Sequence, residues 1–306
     1  MRIFLTGSTG FVGSWLLARL LESGHEVAIP LRSASDPWRI RALLEHPRLR
    51  VIPGGWNDAE PLRPLLATFR PEALAHLAWG GVMNTARNDP SQADNVGLTL
   101  RLIQLAAESG ATRFLGVGSQ AEYGPHNAPQ DESTPTRPTT LYGAAKLSTR
   151  LMSEIICRER RMGFVWVRIF STFGPLDHPG WMIPTLIREL LAGKRPALTP
   201  GEQLWDFLYV EDAADALARL LETPTAEGVF NLGSGSAPPL RQTIEALRDA
   251  IDPALPLGFG DIPYRPDQVM LLQAVTTRLQ QATGWQPRIP LEEGLARTVA
   301  WFSAPP

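Results

Sequence analysis

Tyr142 and Lys146 stand four residues apart, which puts a phenol and an ammonium on one face of a helix starting near Leu141. A phenol titrates near a pH of roughly 10, and a lysine cation close by favours its ionised form. The pair therefore has the means to give or take a proton at neutral pH during a hydride transfer. Ser119 lies 23 residues before Tyr142, where an apolar run ends and its hydroxyl would emerge at the carboxyl edge of a sheet, the place where α/β sites are built. A lone Tyr-x-x-x-Lys is common as an exposed tyrosine beside a solvated lysine; its weight here comes from that company. No metal is expected, because the single cysteine, Cys157, cannot build a multi-thiolate cage.

A hydride needs a carrier, and the N-terminal run Leu5-Thr6-Gly7-Ser8-Thr9-Gly10-Phe11-Val12-Gly13 supplies a place for one. Glycines at 7, 10 and 13 follow the first expected strand and open a helix. They let the chain turn sharply, let a pyrophosphate approach the backbone amides, and let helix and strand pack closely at the positive end of the helix dipole. Gly7, Thr9, Gly10, Phe11, Val12 and Gly13 are therefore candidate cofactor contacts. An acidic residue at the end of the second strand would bind the ribose hydroxyls of NAD. That strand instead reads Val27-Ala28-Ile29-Pro30-Leu31-Arg32-Ser33. Leu31 stands where the carboxylate would be, and Arg32, followed by Ser33, offers a bidentate fork for a 2′-phosphate, so NADP(H) is expected in preference to NAD(H).

Short apolar runs alternate with helix-length amphipathic segments through the first half, as repeated βαβ units require. Expected strands are Ile3–Thr6, Glu26–Leu31, Leu49–Ile52, Ala73–Leu77, Phe114–Val117 and Val165–Ile169, separated by helical segments such as Trp15–Leu21 and Leu98–Ala107. Six such strands predict an α/β fold with a doubly wound parallel sheet. Ser119 then lies at the sheet's carboxyl edge, where α/β sites are built. After about residue 174 proline and glycine become denser, and Ile183–Leu191, Ala213–Leu221, Leu240–Ala250 and Leu291–Phe302 read as helices of a smaller, mostly α C-terminal lobe. Residues 1–173 form the expected dinucleotide domain and 174–204 with 233–306 the substrate lobe. Residues 205–232 return to the first domain, with Phe207–Val210 and Val229–Leu232 as further strands of the main sheet.

The rest of the composition is exclusionary. With 306 residues, 44% apolar, and 29 basic against 31 acidic side chains, the chain buries a sizeable core and lacks the basic charge that nucleic acid demands. No apolar run approaches the roughly 18 residues of a membrane span. Met1 leads directly into a strand without a signal-peptide pattern, and one cysteine suits a reducing compartment, so a cytoplasmic protein is expected.

With the glycine loop, Ser119 and Tyr142-x-x-x-Lys146 in this order, the chain resembles the extended short-chain dehydrogenase/reductase superfamily, in its branch of nucleotide-sugar epimerases, dehydratases and 4-ketoreductases. The likeness covers nearly the whole chain and is strongest from Met1 to about Phe173. It implies a Rossmann fold in which Ser119 bonds the substrate oxygen, Tyr142 is the acid/base, and Lys146 holds the nicotinamide ribose. Asn95 falls at the family asparagine of the fourth helix, which supports the active-site backbone. His76-Leu77-Ala78-Trp79 matches the fourth-strand segment beside the cofactor, with Leu77, Ala78 and Trp79 as contacts; a buried strand histidine is also often just a satisfied core group. Phe170-Ser171-Thr172-Phe173 resembles the strand-six exit against nicotinamide and substrate, which makes Phe170 a cofactor contact and Ser171 and Thr172 substrate contacts. The resemblance also implies a homodimer through two copies of the fourth and fifth helices.

The reaction is narrowed by what stands beside Ser119. Family 4,6-dehydratases carry Thr-Asp-Glu where this chain has Ser119-Gln120-Ala121, and Gln120 and Ala121 cannot perform the water elimination, although Gln120 remains a substrate contact. Epimerase-reductases need a Cys and His pair, whereas Cys157 sits in an apolar-faced helix that suits a buried thiol. Gly201-Glu202-Gln203-Leu204-Trp205-Asp206 looks like the ketoreductase branch that includes CDP-abequose synthase, with Trp205 replacing the usual arginine and aromatic packing an equal account of it. Arg265, in Tyr264-Arg265-Pro266-Asp267, is the candidate for a nucleotide diphosphate. Val275 stands where the family shows a helix-starting aspartate, and Thr276 is the expected cap instead. Trp56, Trp79, Trp181 and Trp205 are candidates to line the cleft. A reductase with exchangeable NADP(H) acting at C4 of a nucleotide-linked 6-deoxy sugar is favoured. Open beside it are an NAD-retaining 4-epimerase, a non-catalytic dinucleotide-binding protein, and a reductase of non-sugar carbonyls.

Overall fold

Alternation along the apolar strands dictates a sheet covered on both faces. Ile3 and Leu5 point to one side with Val27, Ile29, Ala73, Ala75, Leu115, Val165 and Val167, while Phe4 points to the other with Ala28, Leu74, Phe114, Phe164 and Trp166. The structure, a computed structural model, describes residues 1–57 and 59–304. Its strands are β1 (Arg2–Thr6), β2 (Glu26–Leu31), β3 (Leu49–Pro53), β4 (Ala73–His76), β5 (Arg113–Ser119), β6 (Gly163–Ile169), β7 (Ser171–Phe173), β8 (Ala197–Leu198), β9 (Leu204–Trp205), β10 (Phe207–Tyr209), β11 (Gly228–Leu232), β12 (Gly258–Phe259) and β13 (Leu271–Leu272). The helices are α1 (Phe11–Glu22), α2 (Ala59–Phe69), α3 (Gln92–Glu108), α4 (Leu141–Glu159), α5 (Met182–Leu191), α6 (Val210–Glu222), α7 (Leu240–Asp249), α8 (Thr277–Thr283) and α9 (Leu291–Ser303).

Seven parallel strands form the main sheet in the order β11-β6-β5-β4-β1-β2-β3. All six strands expected for it form, and β11 extends it as the seventh. Phe207–Val210 does not return to that sheet as expected. The edge of β6 is taken by β11 over Val165–Ile169, so β10 pairs in parallel with β7, and Val210 already begins α6. The helix carrying Asn95 is the third α-helix rather than the fourth, because the β2–β3 connection beyond Pro37 closes only as a 3-10 helix over Trp38–Leu43.

Leu16, Leu17 and Leu20 of α1 and Leu217, Leu220 and Leu221 of α6 cover one face, joined by Leu279 of α8 and by Trp285. Side chains of α2, α3 and α4 cover the other, Cys157 among them. A third core under α5, α7 and α9 gathers Phe173, Ile187, Tyr209, Leu240, Ile244 and Leu295. Strand order reverses between β1 and β4, and such a switch point opens a crevice at the carboxyl ends of the strands. Gly7 leaves β1 and Leu77 leaves β4 at that crevice. Among the described residues no helix is long and apolar enough to cross a membrane.

Candidate active site

The glycine loop is built for close approach of backbone to backbone. Gly7 has φ of +80°, and a Cβ there would lie 2.6 Å from the Ala78 nitrogen; a Cβ on Gly13 would lie 2.0 Å from the Gly7 carbonyl oxygen. Both positions therefore need glycine. The Gly10 amide donates to the Gly7 carbonyl at 3.0 Å, and α1 then starts at Phe11 with no side-chain cap and no acid in its first turn. Its first amides point at the crevice end of β1, a setting that fits the pyrophosphate of a dinucleotide. Two residues not foreseen from sequence hold the loop from outside. Arg39 donates to the carbonyls of Thr9 at 3.3 Å and Leu176 at 2.8 Å, and the Trp15 indole donates to the Pro175 carbonyl at 3.1 Å, so the β7–α5 connection is fastened beside the loop.

Across the crevice, α4 opens with Thr140, whose hydroxyl accepts from the Gly143 amide at 3.1 Å. Gly143 lets the helix settle on the β5 exit, since a Cβ there would lie 2.4 Å from the Ala121 carbonyl oxygen. That contact brings Tyr142 and Lys146, both buried on the same face of α4, against Ser119 at the end of β5. Burial pushes the Tyr142 phenol up, while the Ser119 hydroxyl and the Arg87 guanidinium pull it down and Glu122 pushes it up further. Lys146 lies on the helix face its spacing predicts, and its ammonium has further partners there. Its ammonium donates to the Val117 carbonyl at 2.6 Å, rests 3.8 Å from the centre of the Trp79 indole, and is 5.9 Å from the centre of the Tyr142 ring. Burial pushes it down to about 7, with Glu122 pulling the other way. The helix puts phenol and ammonium on one face, but a carbonyl and an indole face compete for the ammonium.

Three buried polar groups brace these residues. Asn95 accepts from the Gly80 amide at 2.9 Å, which fixes the chain just after Trp79. Gln92, unforeseen from sequence, accepts from the Trp79 indole at 2.8 Å and donates to the carbonyls of Gly81 at 2.7 Å and Ala86 at 2.9 Å. His76 sits between the hydroxyls of Thr6 at 2.7 Å and Thr99 at 2.9 Å, and burial, with Lys146 nearby, pushes it down to about 3. It is a neutral core group bonded on both nitrogens. Beneath Ser119, the fully buried Glu122 accepts from the Ser119 amide at 3.0 Å, the Trp166 indole at 2.9 Å and Arg168 Nε at 2.9 Å. A charge of each sign amid apolar neighbours, Glu122 after β5 and Arg168 within Val165-Trp166-Val167-Arg168-Ile169, was the available signal for this pair.

The remaining candidates are more dispersed. Arg32 and Ser33 stand exposed beyond β2, and the Arg32 stem lies across Gly55. Phe170 is buried against Tyr123. Ser171 and Thr172 are half-buried on β7, and the Ser171 hydroxyl accepts from the Trp205 indole at 2.8 Å. Gln120 is half-buried next to Ser119, and Ala121 is buried. Arg265 is exposed between β12 and β13, where its neighbour Tyr264 accepts from the Glu202 amide at 2.9 Å. Among the described residues no hydrogen bond or ion pair joins Arg265 to Ser119 or Tyr142. Among the four tryptophans considered for the cleft, Trp79 faces Lys146 and Tyr142, Trp56 packs edge-on against His76, Trp205 faces Ser171, and Trp181 is 42% exposed at the start of α5. Cys157 is buried, which pushes its thiol up to about 12. Thr276 precedes α8 as expected, but its hydroxyl accepts from the Gln280 side chain rather than capping a backbone amide.

Comparison with known proteins places this geometry. Residues 3–233 match the model of the NAD dependent epimerase/dehydratase family. The chain is 28% identical over 315 residues to the UDP-glucose 4-epimerase of Mycolicibacterium smegmatis, covering 99% of this chain and 98% of that protein. It is also 28% identical over 313 residues to the dTDP-glucose 4,6-dehydratase of Streptomyces griseus, covering 98% and 93%. Among solved structures, UDP-glucose 4-epimerase of Thermotoga maritima with UDP-glucose superposes with a TM-score of 0.87 at 25% identity, covering 99% of this chain and 98% of that one.

Proposed function

Because the chain belongs to the NAD dependent epimerase/dehydratase family, we propose that it is an NADP(H)-dependent reductase acting at the C4 keto or hydroxyl carbon of a nucleotide-linked 6-deoxy sugar. The observation that carries this reading is the convergence of Ser119, Tyr142 and Lys146 at the carboxyl edge of the sheet, with Gln120 and Ala121 where elimination would need acids. The dinucleotide, when bound, supplies the hydride chemistry. Ser119 orients the substrate oxygen, and Tyr142 delivers a proton to it in reduction or removes one in oxidation. Lys146 holds the ribose, for which it must exchange its bond to Val117. Asn95 fixes Gly80 so that Trp79 walls the cleft. Glycines 7, 10 and 13 with Thr9, Phe11 and Val12 seat the pyrophosphate, and Leu77, Ala78 and Phe170 line the path to the nicotinamide. Ser171, Thr172, Trp205 and Arg265 take the nucleotide-sugar, the Trp205–Ser171 pair presenting an aromatic face and Arg265 a cation for the diphosphate.

In this reading residues 1–173 with 205–232 bind the dinucleotide, and 174–204 with 233–306 form the substrate lobe. The protein works in the cytoplasm as a homodimer through α3 and α4, where Leu151, Met152 and Ile155 of α4 are each nearly half exposed.

Preference for NADP(H) rests on Arg32, whose exposed guanidinium has no acidic partner among the described residues. Arg32→Ala is expected to weaken NADPH binding by roughly 10- to 100-fold, the equivalent of one charge-assisted contact, and to leave NADH binding little changed. Denaturing the purified protein, identifying any released dinucleotide, and titrating refreshed protein with NADPH and NADH reads this directly. A second reading, an NAD-retaining 4-epimerase, is favoured by the two similar 4-epimerases above. Released NAD, with no preference for NADPH, would select it.

A further inference from the structure

Arg87 reaches the site from the β4–α3 connection. Its guanidinium carbon lies 4.5 Å above the centre of the Tyr142 ring, and Trp79 meets the same ring edge-on. Among the described residues no carboxylate pairs with Arg87, which is half-buried. The ring face attracts its charge and leaves its planar fork of N–H donors available to an oxygen of a ligand.

The segment that carries Arg87 is fixed. Gln92 donates to the Gly81 and Ala86 carbonyls, and the Asn88 side chain accepts from the Leu141 amide at 3.1 Å, one residue before Tyr142. The 3-10 helix over Asn84–Asn88 is thus stitched to α3 on one side and to the start of α4 on the other. Arg87 and Tyr142 are therefore held in register by their backbones.

That register decides what the fork can meet. A sugar whose C4 oxygen bonds to the Tyr142 hydroxyl carries the substituents of its neighbouring carbons roughly 3 Å from that oxygen, about one hydrogen-bond length. A guanidinium above the phenol ring spans that distance. Of the two carbons beside C4 in a 6-deoxy sugar, C5 carries the ring oxygen and a methyl group, and only C3 carries a hydroxyl.

We propose that Arg87 is a specificity-determining residue that donates to the C3 hydroxyl, so that the protein takes a nucleotide sugar retaining this hydroxyl and rejects the 3,6-dideoxy analogue. This rests on the reading of the site as one for C4 of a nucleotide-linked 6-deoxy sugar. A site built to bond a hydroxyl discriminates against the analogue without it, because its own donors are then left unpaired.

The test is calorimetric binding to the purified full chain loaded with NADPH. Two saturated sugars are compared, a 6-deoxyhexose and its 3,6-dideoxy analogue, each carried on thymidine, cytidine and uridine diphosphate in turn. Neither can accept a hydride, so binding is read without turnover. The 3-hydroxy sugar is expected to bind roughly 10- to 100-fold more tightly, the worth of a hydroxyl bonded to a charged donor. In Arg87→Met, which keeps the stem and loses the donors, that preference is expected to fall to within about threefold, with the 3-deoxy sugar and NADPH bound as before. Arg87→Lys, with a single ammonium in place of the fork, is expected to recover part of it.

Equal binding of the two sugars by the unaltered protein would overturn the proposal. So would an equal loss for both in Arg87→Met, the mark of a diphosphate contact or of lost packing. Binding of neither sugar on any of the three nucleotides would overturn it together with the nucleotide-sugar reading. The expected preference without NADPH consumption on the matching 4-keto sugar would instead sink the reductase reading and leave the assignment of Arg87 standing.

Discussion

Tyr142→Phe is expected to lower kcat by roughly 10²–10⁴-fold, the usual worth of a positioned acid/base, and to leave dinucleotide affinity nearly intact. The ring stays, so its packing against Trp79 and beneath Arg87 persists, and only the proton-transferring oxygen is lost. Steady-state turnover beside a dinucleotide titration separates the two quantities. A rate unchanged by the substitution would remove Tyr142 from the chemistry, and an equal loss in dinucleotide affinity would make it a binding residue.

The largest expected effect on stability comes from beneath the site. Arg168→Met leaves the Glu122 carboxylate fully buried without its cation, and such an uncompensated charge costs about 3–5 kcal/mol. The double variant Glu122→Leu with Arg168→Met removes both charges and is expected to regain much of that loss, although the Ser119 amide and Trp166 indole lose an acceptor. Chemical denaturation of the two variants makes the comparison. If the single variant unfolds at the wild-type denaturant concentration, the ion pair is not what holds the β5 exit. Because Glu122 also accepts from the Ser119 amide, the single variant should lose turnover even where it remains folded.

Much of the fold was legible because its determinants are local. Strand alternation from Ile3 through Ile169 and the glycine spacing at 7, 10 and 13 each express a backbone requirement within a few residues, and the parallel sheet follows from them. The fate of Phe207–Val210 was not local: only the pairing of β11 along β6 closes that edge and sends β10 to β7. The same division holds at the site. Ser119, Tyr142 and Lys146 announce themselves by type and spacing, but where the Lys146 ammonium points depends on Val117 and Trp79, distant in sequence. Arg87 and Gln92 look like ordinary polar residues of a loop and a helix. Their roles come from contacts across the β4–α3 and β5–α4 connections that no periodicity records.

The central claim is a net reduction of a carbonyl with Tyr142 supplying the proton. Its most direct test is to mix the protein with NADPH and a 4-keto-6-deoxy nucleotide sugar and follow the absorbance of the reduced nicotinamide. The account predicts one NADPH consumed for each carbonyl reduced, with the signal abolished in Tyr142→Phe. Protein that leaves NADPH untouched yet interconverts the C4 epimers of a saturated nucleotide sugar would contradict it and establish an epimerase in its place.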